Sequence, residues 1–292
     1  MAASKNYILV INPIAGDVDK SEIISAVSDF AEQHSSKIIK YETTGDAEDQ
    51  TKILELYKQS NPERVLVAGG DGTIKMVAEA LEGIDSVIGI IPAGSANGLS
   101  VDLGIPTEMA EILQTAFFGE IINVDIVCIN NKRSLHLSDI GLNAELIRNY
   151  ENGTIRGKLG YALQAINTLT DSEVPFTASV TANGQTITSE SKMLVVANSQ
   201  KYGTGVTINP QGVLDDGLFE IIIIKNLDLI VFGKIIAGNM PIDTGDVEII
   251  SASQATITTD VPVHFQVDGE YCGEVTELNV KMISGSLKIA VP

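Results

Sequence analysis

The first 120 residues alternate short apolar runs with segments in which apolar residues recur at helical spacing. The apolar runs at residues 7–11, 38–41, 65–68 and 86–91 are rich in β-branched side chains, which favours buried strands. Strands that alternate with helices predict a parallel sheet, and ligands of such sheets gather at the carboxyl ends of the strands. We therefore expect the chemistry of this half to lie in the turns that follow the strands.

Each predicted strand is followed by a polar turn. The turns are residues 12–16, 43–46, 69–73 and 92–98. Glycines in such turns let the backbone approach a ligand closely, and the helix that follows directs unpaired N–H groups at it. In the second turn, Thr44 or Asp46 is expected to cap the next helix. This arrangement predicts an anion-binding edge of the sheet.

The third turn, Gly69-Gly70-Asp71-Gly72-Thr73, combines the backbone of an anion site with a carboxylate. It lacks the Lys-Ser/Thr pair of a P-loop, and Asp71 would repel a bare phosphate. A bridging Mg²⁺ ion would reconcile the two features. Taken alone, the same residues also suit an ordinary strand-to-helix turn with a capping aspartate.

The pattern changes after residue 123, where alternating runs flank the pairs Asn130-Asn131, Asn183-Gly184 and Asp268-Gly269. Such turns between alternating runs predict β-hairpins. One helical face interrupts them at residues 159–169. We therefore expect an α/β domain with a parallel sheet at residues 1–123 and a mainly-β sandwich domain at residues 124–292. Packing of the last strand back onto the first domain is left open.

Length and charge narrow the function further. The chain has 292 residues, enough for two domains with substantial cores. Its 38 acidic and 19 basic residues give a formal net charge of −19, which argues against nucleic-acid binding and against polybasic attachment to a membrane. Neither a signal peptide nor a membrane-spanning apolar run is apparent, so a cytoplasmic protein with only local, peripheral membrane contact is expected. Two cysteines and three histidines predict neither a disulfide framework nor a cysteine or histidine metal site.

Four sequence blocks resemble the diacylglycerol kinase catalytic-domain superfamily, which contains soluble bacterial diacylglycerol kinases and sphingosine kinases. They are Asn12-Pro13-Ile14-Ala15-Gly16, Gly69-Gly70-Asp71-Gly72-Thr73, Pro92-Ala93-Gly94-Ser95-Ala96-Asn97 and Val267-Asp268-Gly269-Glu270. A weaker fifth block covers residues 198–218 and includes Tyr202-Gly203. The resemblance implies an NAD kinase-like α/β domain followed by a β-sandwich. It also implies an ATP-dependent lipid kinase that phosphorylates a hydroxyl of a diacylglycerol-like or sphingoid lipid at the membrane surface, in phospholipid metabolism.

The resemblance also implies which residues contact the nucleotide. The expected ATP-binding positions are Asn12, Pro13, Ile14, Ala15, Gly16, Thr43, Gly69, Gly70, Asp71, Gly72, Thr73, Ser95 and Asn97. ATP carries about four negative charges, so amide N–H groups, helix N-termini, Mg²⁺ and cations such as Lys75 are needed to neutralise them. Asp71 is expected to hold the catalytic Mg²⁺, directly or through water.

On the acceptor side, Asp268 and Glu270 resemble the pair proposed to activate the lipid hydroxyl. An alcohol loses its proton near neutral pH only when an acceptor is well placed, so Glu270 is the expected general base and Asp268 is expected to orient it. A second, structural Mg²⁺ is expected at Asp216, with the carbonyl groups of Val213 and Leu218 as further ligands. Whether the protein forms a homodimer is left open.

Several residues keep other interpretations open. Lys75-Met76 stands where most members of the family have Asn-Glu, and Gly98 stands where diacylglycerol kinases usually have Asp, which brings the third block closer to sphingosine kinases. Glu145 matches a position that contacts the head group in sphingosine kinases.

Two functions other than a lipid kinase are left open. The alternatives are an NAD kinase-like soluble metabolite kinase and a non-catalytic nucleotide- or lipid-binding regulator. Asp268-Gly269 also suits a plain hairpin turn, and residues 215–217 suit a plain loop.

Overall fold

The computed structural model describes residues 5–16, 19–95, 97–141, 144, 175–201, 207–226 and 245–292. The chain divides into two compact units, one made of Met1–Asp125 with Ser284–Pro292 and the other of Ile126–Ile283. Three sequence predictions lie outside the described residues. They concern Glu145, the Tyr202-Gly203 pair and the helical face at residues 159–169.

The first unit alternates strands and helices, as its apolar pattern predicts. Its elements are β1 (Asn6–Ile11), α1 (Lys20–Gln33), β2 (Lys37–Glu42), α2 (Glu48–Ser60), β3 (Arg64–Gly69), α3 (Asp71–Ala80), β4 (Val87–Pro92), α4 (Gly98–Asp102), α5 (Met109–Phe118) and the first part of β5 (Glu120–Ile129). The sheet order is β2-β1-β3-β4 with parallel pairing throughout. The last part of a long strand, β14 (Glu270–Val291), pairs in parallel with β4.

Strands β1 and β3 are buried along nearly their whole length, without the alternation of a half-exposed strand. Consecutive buried residues indicate that both faces of the sheet are covered, which is typical of parallel sheets. Because the strands are parallel, β1, β3 and β4 end at the same edge, where each gives way to a polar turn. This edge is where the sequence predicts the nucleotide site.

The predicted cap of α2 is wrong. Its N-cap residue is Ala47, which offers no side-chain hydrogen bond, so neither Thr44 nor Asp46 caps the helix. Instead, Asp49 in the first turn of α2 reaches back and accepts hydrogen bonds from the backbone amides of Thr44 and Gly45. A carboxylate can accept several such bonds at once, and its charge also complements the positive end of the helix dipole.

The second unit is mainly β and almost entirely antiparallel in its described part. Its further strands are β6 (Lys132–Ser134), β7 (Leu137–Gly141), β8 (Phe176–Ala182), β9 (Gln185–Ser191), β10 (Met193–Ala197), β11 (Phe219–Ile224), β12 (Val247–Ala252) and β13 (Gln254–Val267). The order along its main sheet is β12-β11-β10-β7-β13-β14, and the β8-β9 hairpin pairs with β13. The predicted fold class, an α/β unit followed by a mainly-β unit, is confirmed.

The three predicted hairpins are also confirmed. Asn130-Asn131 joins β5 to β6, Asn183-Gly184 joins β8 to β9, and Asp268-Gly269 joins β13 to β14. Both residues of each pair have positive φ, which matches the twist of the flanking strands and favours Asn, Asp and Gly. Within the described ranges, no helix is long and apolar enough to cross a bilayer.

Candidate active site

Three turns of the first unit meet at the carboxyl ends of β1, β3 and β4. We call them the turn cluster, defined as residues 12–16, 69–73 and 92–97 apart from residue 96. The Asn12 side chain donates from Nδ2 to Thr73 Oγ1 at 3.2 Å, which joins the first turn to the second. The Asn12 Oδ1 atom accepts the backbone N–H of Ile14 at 3.1 Å, so the same side chain also shapes its own turn. The structure therefore brings together blocks separated by more than fifty residues in sequence.

Glycine is required where the turns touch. A Cβ atom on Gly94 would lie 2.4 Å from the Cα of Gly70, and one on Gly16 would lie 2.8 Å from the carbonyl oxygen of Ala93. Separations below 3.0 Å force the backbone to move. In contrast, a Cβ on Gly72 would meet no atom of the described residues within 4 Å, so among them the space beside this glycine, at the start of α3, is open. The cluster is thus closely packed behind an open face at the start of α3.

Lys20 was not among the residues predicted from sequence, yet it ties the cluster together. Its side chain, 9% exposed, donates from Nζ to the carbonyl oxygens of Ala15 at 2.5 Å and Ala93 at 3.3 Å. It therefore brings a positive charge to the sheet edge where the sequence predicts an anion site. Backbone carbonyls carry no sequence signature, and Ala93 lies far away along the chain, so no local pattern could have found this contact. The predicted cation, Lys75, lies buried on α3.

Asp71 already has two hydrogen-bond donors. Its Oδ2 and Oδ1 atoms accept the backbone N–H groups of Gly98 at 2.8 Å and Leu99 at 3.0 Å, the first residues of α4. The interpretation of Asp71 as the cap of its own helix is therefore wrong, because the N-cap residue of α3 is Gly70 and the Asp71 carboxylate binds the first amides of α4. Each carboxylate oxygen keeps a second lone pair, so the same side chain can still face an ion. Its assignment as a Mg²⁺ ligand stays a prediction.

A metal ion at Asp71 would need ligands besides this carboxylate. Among the described residues, no group of three or more His, Cys, Asp and Glu side chains is placed to hold a metal. Mg²⁺ is commonly held by one or two carboxylates together with water and substrate phosphates. A carboxylate beside the predicted anion site thus suits an ion that arrives with a nucleotide.

The remaining predicted nucleotide residues have different surroundings. Ser95 is exposed, whereas Asn97 adopts φ +54° and is tied to its own turn, accepting the Gly94 N–H at 2.8 Å and donating to the Gly94 carbonyl at 2.9 Å. Asn97 therefore shapes the third turn of the cluster. Ile14 is 87% exposed at the tip of the first turn. Thr43 is buried at the end of β2 and donates its backbone N–H to Ile11, the last residue of β1.

Asp49 is the polar anchor beneath the Thr43 turn. It is 1% exposed and accepts hydrogen bonds from the Tyr41 hydroxyl at 2.6 Å and from the Thr44 side chain and the two amides described above. Burial by itself raises the pKa of Asp49, but the hydrogen bonds from Tyr41, Thr44 and Gly45 outweigh it and hold the pKa below its ordinary value of 3.8. Burial and the bond to Asp49 raise the pKa of Tyr41 to about 12.

Replacement of Asp49 by Asn is expected to destabilise the protein by about 1–3 kcal/mol at neutral pH, because the amide cannot accept all of these bonds. The folded-state pKa of Asp49 is below the unfolded-state value, so this stabilisation is present above pH 3.8 and is lost as the pH falls through the folded-state pKa. Urea unfolding at pH 7 and pH 3 measures the effect. The difference between wild type and D49N should shrink in acid, and Asp46→Asn, an exposed change in the same turn, should have little effect at either pH.

In the second unit, the two predicted acceptor-side carboxylates differ in their surroundings. Asp268 is half-buried and accepts hydrogen bonds from Ser134 Oγ at 2.9 Å and from the backbone amides of Leu135 at 3.1 Å and His136 at 3.0 Å. Glu270 is exposed at the start of β14. A carboxylate held by three donors serves as an anchor, whereas an exposed one is accessible to a substrate. The contrast agrees with the predicted division of roles, which itself stays a prediction.

The predicted structural Mg²⁺ site falls in an exposed loop. Asp216 Oδ1 accepts the backbone N–H of Leu218, two residues later, at 2.9 Å. This bond forms an Asx-turn, which is common where aspartate stands in a loop. Val213 and Leu218 are 45% and 37% exposed. The plain-loop interpretation thus accounts for the observed Asp216 bond, and the metal assignment stays a prediction.

Comparisons with known proteins cover both halves of the chain. Residues 6–129 match the family model of the diacylglycerol kinase catalytic domain, and residues 137–291 match that of the YegS C-terminal NAD kinase beta sandwich-like domain. A diacylglycerol kinase of Bacillus subtilis (strain 168) is 25% identical over 91% of this chain and 89% of its own length. A Klebsiella pneumoniae (strain 342) protein named "Probable lipid kinase YegS-like" is 26% identical over 84% of this chain and 83% of its own.

The fold is shared with solved structures. A crystal structure of a diacylglycerol kinase from Bacillus anthracis str. Sterne covers 100% of this chain and 98% of its own, with a TM-score of 0.79 at 19% identity. At 19% identity, this similarity supports the fold and not a shared activity. With both family models matched in order along the chain, this protein belongs to the diacylglycerol kinase catalytic-domain superfamily and has its two-part architecture of an α/β domain and a β-sandwich.

Proposed function

We propose that this protein transfers the γ-phosphoryl group of ATP to a hydroxyl of a diacylglycerol-like or sphingoid lipid at a membrane surface. The observation that carries the proposal is the turn cluster. It is a closely packed set of glycine turns with an open face at the start of α3, in a chain that matches a lipid kinase family along both halves. Such turns present backbone N–H groups and helix N-termini to phosphate oxygens.

On the donor side, the cluster would hold the triphosphate through its amides, with Lys20 adding positive charge. Asp71 and the phosphates together would hold Mg²⁺, which when bound neutralises the charge that develops on the transferred group. The two N–H groups of Gly98 and Leu99 fix the Asp71 carboxylate in place, so it needs no reorganisation when the nucleotide arrives.

On the acceptor side, Glu270 would act as the general base. The lipid oxygen attacks the γ-phosphorus, a new O–P bond forms, and the bond from that phosphorus to the bridging oxygen of ADP breaks. The proton of the lipid hydroxyl passes to the Glu270 carboxylate. Phosphoryl transfer requires positioning and charge stabilisation more than covalent chemistry from the protein. The task of the base is to accept this proton as the new O–P bond forms.

Two other functions, a soluble metabolite kinase and a non-catalytic regulator, can be distinguished from a lipid kinase by experiment. A soluble metabolite kinase would use the same turn cluster with a different acceptor, and a non-catalytic regulator would bind nucleotide without turnover. The names of the relatives from Bacillus subtilis and Klebsiella pneumoniae favour a lipid acceptor over both.

The decisive experiment uses purified protein, Mg²⁺ and ATP labelled in the γ-phosphate. The acceptors are diacylglycerol, sphingosine and NAD, each supplied separately, with the lipids in detergent micelles. Labelled lipid is expected, and the better of the two lipids identifies the acceptor class. Label in NAD alone supports the metabolite kinase, and nucleotide binding without any labelled product supports the regulator.

A further inference from the structure

A buried pair of side chains lies directly beneath the turn that carries Glu270. Gln266, near the end of β13, and Asp139, on β7, are each 1% exposed. The Gln266 Nε2 atom donates a hydrogen bond to Asp139 Oδ2. The Gln266 Oε1 atom accepts the backbone N–H of Gly269 at 2.7 Å. A buried carboxylate is thus connected through one amide to the backbone of the Asp268-Gly269 turn.

The same turn has a second anchor on its other residue. Asp268 is fixed by Ser134 and by the amides of Leu135 and His136, and its own N–H donates to the carbonyl of Leu137 at 3.0 Å. The two anchors use different donors and reach different parts of the β6–β7 region. A two-residue hairpin turn needs only its flanking ladder to form. Anchoring both of its residues to buried or half-buried groups restricts the turn beyond what a hairpin requires.

Strand pairing connects the anchored turn to the backbone of Glu270. Val267 pairs with Glu270 across the turn, and Gln266 pairs with Tyr271 in the next register position. Gln266 also pairs with Asp139 on the other side of β13. The Gln266 side chain therefore adds a link between β7 and the turn that precedes Glu270, beside the strand ladder and the Asp268 bonds.

We propose that Gln266 and Asp139 are positioning residues that hold the backbone of Glu270 in place for phosphoryl transfer. This inference rests on the proposed kinase function. Glutamine suits the position because its amide is both a donor and an acceptor. Ionised Asp139 can only accept, and the Gly269 N–H can only donate, so a side chain between them must offer one group of each kind. An apolar side chain of the same size would remove one hydrogen bond from the buried Asp139 carboxylate and one from the Gly269 N–H, at a cost of several-fold to several hundred-fold in the folding equilibrium.

The variant Gln266→Glu tests the idea sharply. Protonated, its carboxyl group reproduces both bonds, with the O–H donating to Asp139 and the C=O accepting from Gly269. When the proton is lost, two carboxylates face each other in a buried site, and they repel. The titratable neighbours of this position are Asp139 on β7, Tyr271 on β14, Asp268 and Glu270 at the turn, and His264 on β13.

We expect kcat of Q266E to be near wild type in mildly acidic solution. As the pH rises and the shared proton leaves, kcat should fall roughly 10- to 100-fold relative to wild type, with little change in KM for ATP. The matched control is Gln254→Glu, which adds the same charge at the exposed start of β13 and should keep the wild-type pH profile. The double variant D139N/Q266E should lose the alkaline fall, because the asparagine amide introduced on β7 can donate to the ionised glutamate.

The outcomes separate this inference from the proposed function. If wild type phosphorylates lipid and Q266E keeps the wild-type pH profile, Gln266 does not position Glu270. If wild type has no kinase activity, the proposed function fails, and the turn is followed instead by the NMR signal of the Gly269 amide. That signal should move with pH in Q266E but not in Q254E. An unchanged signal would overturn the structural part as well.

Discussion

Replacement of Glu270 by Gln is expected to reduce turnover of the lipid by about 10²- to 10⁴-fold, the usual contribution of a general base. The amide keeps the size and polarity of the side chain but cannot take the proton of the acceptor hydroxyl. Nucleotide affinity should be unchanged, because the predicted nucleotide residues lie on the first unit and Glu270 on the second. The measurement pairs kcat for labelled lipid with calorimetric titration of a non-hydrolysable ATP analogue in Mg²⁺.

The matched control is Glu277→Gln, also an exposed glutamate on β14. Its Oε1 accepts a hydrogen bond from the Asn279 side chain, and an amide oxygen can do the same. Normal turnover is expected for E277Q. Normal turnover in E270Q would remove Glu270 from the base role, whereas a loss of nucleotide affinity in E270Q would show that the side chain acts earlier, in binding.

Replacement of Gly94 by Ala is expected to open the turn cluster. The new methyl group would lie 2.4 Å from the Cα of Gly70, and two backbones cannot separate without disturbing the strands β3 and β4 that carry them. Overpacking of this kind costs about 1–3 kcal/mol of stability. Nucleotide affinity should fall with it, since amides of both turns are proposed to face the same phosphates. Urea unfolding and nucleotide titration measure the two effects.

Gly72→Ala is the control for that variant. Its methyl group would meet no atom of the described residues within 4 Å, and Gly72 lies in the first turn of α3, where Ala is favoured over Gly by up to about 1 kcal/mol. G72A should therefore keep or gain stability in the absence of nucleotide. If the open face at the start of α3 is the phosphate site, the same methyl group should weaken nucleotide binding. Unchanged binding in both G72A and G94A would place the nucleotide elsewhere.

The sequence predicts the parts of this fold that depend on neighbouring residues. Apolar runs and glycine turns near one another in sequence identified the strands β1, β3 and β4 and their turns. Paired Asn, Asp and Gly residues between alternating runs identified the three hairpins, because these residues tolerate the positive φ that such turns require. In each case the physical cause lies within a few residues, so a local pattern is enough.

Contacts between distant segments were not predictable in this way. Lys20 binds the carbonyl of Ala93, Asp71 caps α4, and Gln266 connects the Gly269 amide to Asp139. Each depends on the sheet order, which brings these residues together only after folding. The cap of α2 was also mispredicted, because the N-cap residue is Ala47 and the buried Asp49 instead binds the amides of Thr44 and Gly45, which precede the helix.

The pairing of β14 with β4 has a consequence for synthesis of the chain. Val87 in β4 pairs with Lys288, so one edge of the first sheet has its partner only after the whole second unit has been made. Until residues 284–292 leave the ribosome, β4 presents an apolar strand with an unpaired backbone edge, the kind of surface that invites pairing with other chains. The unpaired edge of β4 is therefore exposed through most of the chain's translation. A chaperone that covers this edge would act on the first unit long after that unit's other strands have been made.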